Sequence, residues 1–304
     1  MLKKVFIGIM IVLVALTITV GAIIGGLMWH AQSEMTFTEI DPTTVGVKAD
    51  HALTNEGIIS IALFGVDART PDEPGRSDSM MIATFNPKTQ KVYLTSLMRD
   101  LLVPIDGHGN DKLNHAYAYG GAAEAIKVLN NTLDLNIQHY ASVDFTSLQK
   151  VIDTLGGVAV DIDDEELPHL QTVGVTTTGV QQLTGEQALA YSRIRYATGG
   201  DYKRTERQQE ILVSLAQSVQ AQGLQGALAM ANEVLPYVET NIDLGMMAKF
   251  GAQAMQIGFG NLTQQRFPQD GTFTTGIDPS SGLWVINADL NQVKEELHAS
   301  FLQE

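Results

Sequence analysis

The sequence predicts an α/β domain, a sheet covered by helices, standing behind an N-terminal transmembrane helix. Two observations predict it. Val5 to Trp29 is an uncharged run at the start of the chain. From Ile58 onward, short apolar runs of strand length alternate with segments that are apolar at helical spacing.

The anchor comes first. Twenty-five helical residues rise roughly 37 Å, enough to cross a hydrocarbon core of about 30 Å with some tilt. A cleaved signal peptide has a shorter apolar core, about 7–15 residues. Lys3 and Lys4 precede the run, and basic residues stay on the cytoplasmic side, so the remainder is expected outside the cell membrane, N-terminus in. Residues 1–30 are thus read as cytoplasmic tip and anchor. Residues 31–56, polar and containing Asp41-Pro42, are read as a stalk, and 57–304 as one domain with no internal linker.

Composition narrows the function. The 304 residues include no cysteine, which removes thiol catalysis and cysteine-ligated zinc. Net charge is −15, and −17 once the two anchor lysines are set aside. Such a surface does not attract nucleic acid or anionic lipid through bulk charge, so an anion site must be a local exception.

Within the domain, Ile58–Val66 is a near-continuous apolar run, as in a buried strand. Met80–Phe85 and Val92–Leu97 read as strands joined by the turn Asn86-Pro87-Lys88-Thr89. Gly120-Gly121 precedes a helix carrying Ile126, Leu129 and Leu133 on one face. Tyr140–Val143, Phe145–Leu155 and Gly157–Ile162 read as strand, helix and strand. Thr184–Ala190 is a short helix. Asp201 is placed to cap a long helix, Tyr202–Val219, burying Ile211, Leu212, Leu215 and Val219. A last helix carries Leu290, Val293, Leu297 and Phe301.

The arginines supply the local exception. There are eight, and seven fall in three short segments: Arg69 and Arg76; Arg99; and Arg193, Arg195, Arg204 and Arg207. Arg193 and Arg195 would share a face of a strand, and Arg204 and Arg207 a face of a helix near its N-terminus, where free N–H groups already favour an anion. Residues 193–207 carry a local +3 in this acidic domain. Guanidinium forks grip phosphate oxygens in pairs, so the pattern points to a polyphosphate site. Salt bridging to the abundant carboxylates accounts for one or two of the seven, and is a sufficient reading of Arg266.

Asp67 follows a buried strand, where ligands collect in α/β sheets, and Asp78 precedes the next. On spacing alone the two are either turn aspartates near Pro74-Gly75 or a carboxylate pair suited to Mg²⁺. No G-x-S-x-G, H-E-x-x-H or G-x-x-x-x-G-K-[ST] is present. His115, in Lys112-Leu113-Asn114-His115-Ala116-Tyr117, reads as structural. Met246 and Met247 read as core of a helix around Leu244–Phe259.

Several of these segments together resemble the LytR-CpsA-Psr family. They are Gly65-Val66-Asp67-Ala68-Arg69, Arg76-Ser77-Asp78-Ser79-Met80, Arg99-Asp100, Asp111 to Gly121, Leu155-Gly156-Gly157-Val158, Leu183 to Arg195, and Asp201 to Gln208. The likeness covers about residues 57–220. It implies a three-layer α/β/α domain with a central mixed sheet and a deep apolar pocket for a polyprenyl tail. It also implies a phosphotransferase that moves a glycopolymer, such as teichoic acid or capsule, from an undecaprenyl-pyrophosphate carrier to a peptidoglycan hydroxyl. Carried over, Asp67 and Asp78 would hold Mg²⁺. Arg76, Arg99, Arg193, Arg195, Arg204 and Gln208 would hold the pyrophosphate, with Arg69 and Arg207 in the same motifs. Asp67, Arg99, Arg193 and Arg195 stand nearest the chemistry. The chain departs from the family at Met98, where proline is common.

Overall fold

The computed structural model describes residues 36–67, 75–194, 200–222, 233–243, 245–247, 250 and 262–302. The uncharged run Val5–Trp29, Arg69, Arg195 and most of the predicted Leu244–Phe259 helix lie outside these residues. Among the described residues no helix is long and apolar enough to cross a membrane.

In chain order the elements are β1 (Thr36–Phe37), α1 (Ala52–Asn55), β2 (Ile59–Asp67), β3 (Arg76–Asn86), β4 (Lys91–Leu97), β5 (Leu102–Ile105), β6 (Gly109–Lys112) and α2 (Leu113–Leu133). There follow β7 (His139–Asp144), α3 (Phe145–Thr154), β8 (Val158–Ile162), α4 (Leu167–Leu170), β9 (Gly179–Leu183), α5 (Gly185–Ser192) and α6 (Gly200–Ala221). The chain closes with β10 (Glu239–Thr240), β11 (Leu262–Phe267), β12 (Phe273–Ile277), β13 (Trp284–Ala288) and α7 (Leu290–Leu302).

Seven strands form the central mixed sheet, in the order β1-β10-β7-β2-β3-β4-β11. β2 runs parallel to β7 and antiparallel to β3, and β4 runs antiparallel to β3 and parallel to β11. This fixes one end of the sheet. The ends of β2, β7 and β4 and the start of β3 all lie there, and β1 runs away from it, since Thr36 is level with Ser142 and Phe37 with Ala141.

One core joins Ala62, Phe64, Val66, Met80, Ile82, Tyr93 and Leu97 of the sheet to α2 and α7. There Ile126, Leu129, Leu133, Val293, Leu297 and Phe301 are buried, as their spacing predicts. A second core gathers Ile152, Val158, Val160, Leu183, Ala188, Tyr191, Ile211 and Leu215 from α3, α5, α6 and the β8–β9 hairpin. Two caps set its helices: Asp144 accepts from Thr146 and Ser147 N–H at the start of α3, and Thr184 with Gln187 forms a capping box on α5.

Three readings change. Among the described residues β8 pairs with β9 alone and does not join the main sheet; its residues alternate buried and exposed, so one face is left for water. The helix read as starting after Gly121 begins at Leu113, with non-helical backbone at Gly120 and Gly121. The stretch 31–56 is not all stalk. From residue 36 it packs on the domain, with Val45 and Leu53 in the first core and Asn130 Nδ2 donating to Val45 O. Its polarity hid two apolar residues that suffice to dock it.

Candidate functional site

At the sheet end just described, four polar residues in a row open a largely apolar strand. Arg76, Ser77, Asp78 and Ser79 are therefore not a loop before a strand but the first residues of β3, held by pairing with β2. The register steps there: Gly65 faces Ser79 and Val66 faces Ser77, so Asp78 has no opposite residue. A bulge of this kind re-aims a side chain. Asp78 Oδ1 accepts from Arg99 Nη1 at 2.6 Å. Gly65 is required beside it, since a Cβ there would meet Ser79 Cβ at 2.9 Å.

Arg99 stands in the turn after β4, closed by Leu101 N–H donating to Met98 O at 3.0 Å. Asp100, buried, lies 3.5 Å from Arg99 Nε and takes Lys112 Nζ at 2.8 Å. Asp78, Arg99, Asp100 and Lys112 so form one chain of alternating charge. Met98 is also explained. Its N–H donates to Phe267 O of β11, which proline could not do, and its sulfur meets the Thr205 hydroxyl at 3.9 Å.

Helix α6 brings the second half. Arg204, Thr205 and Gln208 join Asp78, Ser79, Met80, Ser96, Leu97, Met98 and Arg99 around one pocket. Gln209 clamps the helix to the sheet, donating from Nε2 to Leu94 O at 3.1 Å and Gln265 O at 2.9 Å. Ser96 Oγ is buried in the pocket wall with no protein partner among the described residues. Four of the predicted site residues, Asp78, Arg99, Arg204 and Gln208, thus share a cavity.

Asp67 and Arg76 face each other across β2 and β3 at the same sheet end. Arg193 caps α5 and is exposed, with its guanidinium 4.5 Å from the Phe145 ring centroid. Phe145 directly follows β7, whose Asp144 pairs with Val66, so Arg193 also stands at this end. Its backbone is helical rather than the strand expected from the Arg193/Arg195 spacing. Asp201 lies within the first turn of α6 rather than at its cap, because the helix starts at Gly200.

Arg207 departs from the expected site. It is buried, Nε donating to Glu166 Oε1 at 2.7 Å and Nη1 to Ile194 O at 3.2 Å. It lies three positions along the helix from Arg204, and that rotation turns it toward the second core. Glu166 had no sequence signal, being 41 positions away. Arg266 sits over the Tyr202 ring at 4.4 Å and bonds Asp270, in keeping with the salt-bridge reading.

The described residues hold no group of three or more His, Asp or Glu placed to bind a metal ion. The donor set that remains is Asp67 and Asp78, two hard oxygen ligands at the joined ends of adjacent strands. That is compatible with Mg²⁺, which takes one or two carboxylates and retains water.

Fold and pocket define an α/β protein with an arginine-lined pocket at one end of a mixed sheet. The chain belongs to the LytR_cpsA_psr family, whose model matches residues 28–299. It is 33% identical over 303 residues to the polyisoprenyl-teichoic acid–peptidoglycan teichoic acid transferase TagU of Enterococcus faecalis, covering 97% of this chain and 96% of that one. Biofilm regulatory protein A of Streptococcus mutans is 37% identical over 211 residues, 63% of this chain and 52% of that one. Among solved structures, TagT bound to LI-WTA aligns with TM-score 0.66 at 28% identity, covering 88% of this chain and 96% of that one. TagV of B. subtilis aligns with TM-score 0.69 at 27% identity, over 81% and 97%.

Proposed function

We propose that this protein transfers a teichoic-acid-like or capsular glycopolymer from an undecaprenyl-pyrophosphate carrier to a peptidoglycan hydroxyl. The observation that carries the reading is the convergence of Arg99, Arg204, Gln208 and Asp78 on one pocket. The full-length likeness to TagU supports it. A three-layer α/β/α arrangement behind an anchor at residues 5–29, with the domain outside the membrane, belongs to the same reading. The direction of β1 supports it, since that strand runs away from the site's end of the sheet.

The donor is already activated, so no nucleotide is needed. The acceptor oxygen attacks the sugar-linked phosphorus, a new P–O bond forms, and the bond to the bridging oxygen breaks, releasing polyprenyl phosphate. Negative charge grows on the bridging and leaving oxygens. Guanidiniums fixed before reaction stabilise that charge more than they stabilise the ground state. Arg99 is fixed by Asp78 and Asp100, and Arg204 by the clamped helix α6. Arg76 and Arg193 extend the positive rim; Arg195 is given the same role by the family resemblance alone. Mg²⁺ held by Asp67 and Asp78 would neutralise further phosphate charge. Both Asp100 oxygens are engaged by cations, so of the two aspartates Asp67 is the proposed base, taking the acceptor proton on the carboxylate oxygen not given to Mg²⁺.

The test is direct. Full-length protein in detergent, with Mg²⁺, lipid-pyrophosphate-linked glycan and peptidoglycan, should yield a phosphodiester-linked product, and Arg204→Ala should abolish it. Release of phosphorylated glycan without acceptor would instead show a hydrolase. Lipid binding with no turnover would show a regulatory role, as the name of Biofilm regulatory protein A of Streptococcus mutans suggests for that relative.

A further inference from the structure

Beside the pocket lies a second cluster that the pyrophosphate site does not use. His108 stands at the tip of the β5–β6 hairpin between Gly107 and Gly109, whose φ values of 77° and 73° require glycine. Its ring lies flat on Tyr119, with centroids 3.7 Å apart and planes 5° from parallel. Tyr119 is 44% exposed. Its hydroxyl donates to Asp111 Oδ2 at 2.6 Å, and His115 Nδ1 lies 2.9 Å from the same oxygen. Burial alone would raise the Asp111 pKa, yet the hydrogen bonds from Tyr119, His115 and the Lys112 N–H hold it below the usual value.

This cluster is fastened to the back of the arginine site. Lys112 bonds Asp100, Asn114 N–H donates to Arg99 O at 3.0 Å, and Leu113 N–H donates to Leu101 O at 2.9 Å. Arg76 is close enough to Tyr119 for its charge to act on the phenol. The hydrophobic core, meanwhile, draws on neither exposed ring. An exposed aromatic pair, held rigid from behind by the buried Asp111 and with the half-buried His115 beside it, has the chemistry to recognise a pyranose. The ring face meets sugar C–H groups, and the polar edge meets hydroxyl and acetamido groups.

We infer that His108, Tyr119, Asp111 and His115 form the docking subsite for the acceptor glycan strand, one side of the pocket from the lipid pyrophosphate. The inference rests on the transfer reading for the identity of the glycan. In the subsite a hexosamine ring packs on the His108–Tyr119 pair, while Asp111 and His115 hold the Tyr119 ring in place from behind, so that the next sugar's hydroxyl reaches toward Arg99.

The test uses full-length protein in detergent and a soluble N-acetylglucosamine–N-acetylmuramic acid tetrasaccharide. Binding is followed by saturation-transfer NMR without lipid substrate, and acceptor KM is measured with it. Tyr119→Ala should weaken tetrasaccharide binding and raise acceptor KM about three- to tenfold, the scale of one aromatic stack, with lipid-pyrophosphate affinity and Tm unchanged. Tyr119→Phe, which keeps the stack, should recover most of the loss. Unchanged tetrasaccharide binding and KM in both Tyr119→Ala and His108→Ala would overturn the inference and leave the transfer reading intact. So would a loss confined to Tm and lipid affinity, which marks a clip between hairpin and helix. Ring-dependent tetrasaccharide binding in a protein without transferase turnover would support the subsite and sink the transfer reading alone.

Discussion

Arg99 Nη1 donates to Asp78 Oδ1 across 2.6 Å, joining the turn after β4 to the bulge in β3. Both side chains are mostly shielded, at 16% and 19% exposure, so the pair holds the guanidinium in one orientation before a ligand arrives. Asp78→Ala should lower kcat/KM for transfer by about 10²-fold, the scale of losing one oriented charge stabiliser. Arg99→Lys should do nearly as badly, because an ammonium cannot reproduce a fork held by Asp78 on one side and Asp100 on the other. Steady-state kinetics on both variants check this. Full turnover by Asp78→Ala would remove it from the site.

Much of this geometry was legible from spacing, but in fragments. Apolar runs located β2, β4 and the helices α2, α6 and α7, since burial on both faces of a central strand or on one face of a helix leaves a period in the sequence. The polar start of β3 was not legible as strand, because Arg76, Ser77, Asp78 and Ser79 are paired by backbone and selected by the site rather than the core. Arg204 and Arg207 looked alike on a helical projection. Which of them faces the pocket depends on Glu166, a partner brought in by tertiary packing from 41 residues away. Ser96 was hidden inside an apolar strand, and no periodic signal could have marked it as pocket wall.

Gly185 tests the packing that carries Arg193. A Cβ there would fall 2.2 Å from Gln149 O, a backbone atom of α3. Helix α5 therefore touches α3 through its first residue and cannot be eased away by a rotamer change. Gly185→Ala should destabilise the protein by about 1–3 kcal/mol or more, as overpacking does. Urea denaturation followed by circular dichroism measures it, and a midpoint equal to wild type would show that the helices slide freely.

Acid should loosen the N-terminal segment before it unfolds the core. Asp134, at the end of α2, bonds Lys48, and this holds its carboxyl below the usual 3.8. A carboxyl lowered in the folded state stabilises fully above its unfolded value, and that contribution disappears as pH falls through the folded one. Hydrogen exchange at residues 44–56 should therefore speed up as pH drops below about 4, after correction for intrinsic rates. Asp134→Asn should show weakened protection already at neutral pH and no further acid step. An identical acid step in Asp134→Asn would assign it to another group.

The pair Arg207–Glu166 separates stability from chemistry. Both side chains are nearly inaccessible, at 4% and 6%, and Arg207 also lies 5.8 Å from the Tyr191 ring centroid, whose hydroxyl donates to Glu210. Burial and Glu210 together push the Tyr191 phenol far above its usual range, so it stays a neutral donor at all working pH. Removing one partner strands a buried charge. Arg207→Met or Glu166→Leu alone should cost about 3–5 kcal/mol, whereas the double replacement should recover most of that, since a buried pair only roughly repays its own desolvation. If Arg207 is structural, the folded double variant should keep lipid-pyrophosphate affinity within a few-fold of wild type. If Arg207 grips phosphate, the double variant will fold and yet bind as poorly as Arg204→Ala. Denaturation midpoints and lipid titrations on the same three proteins decide between the two.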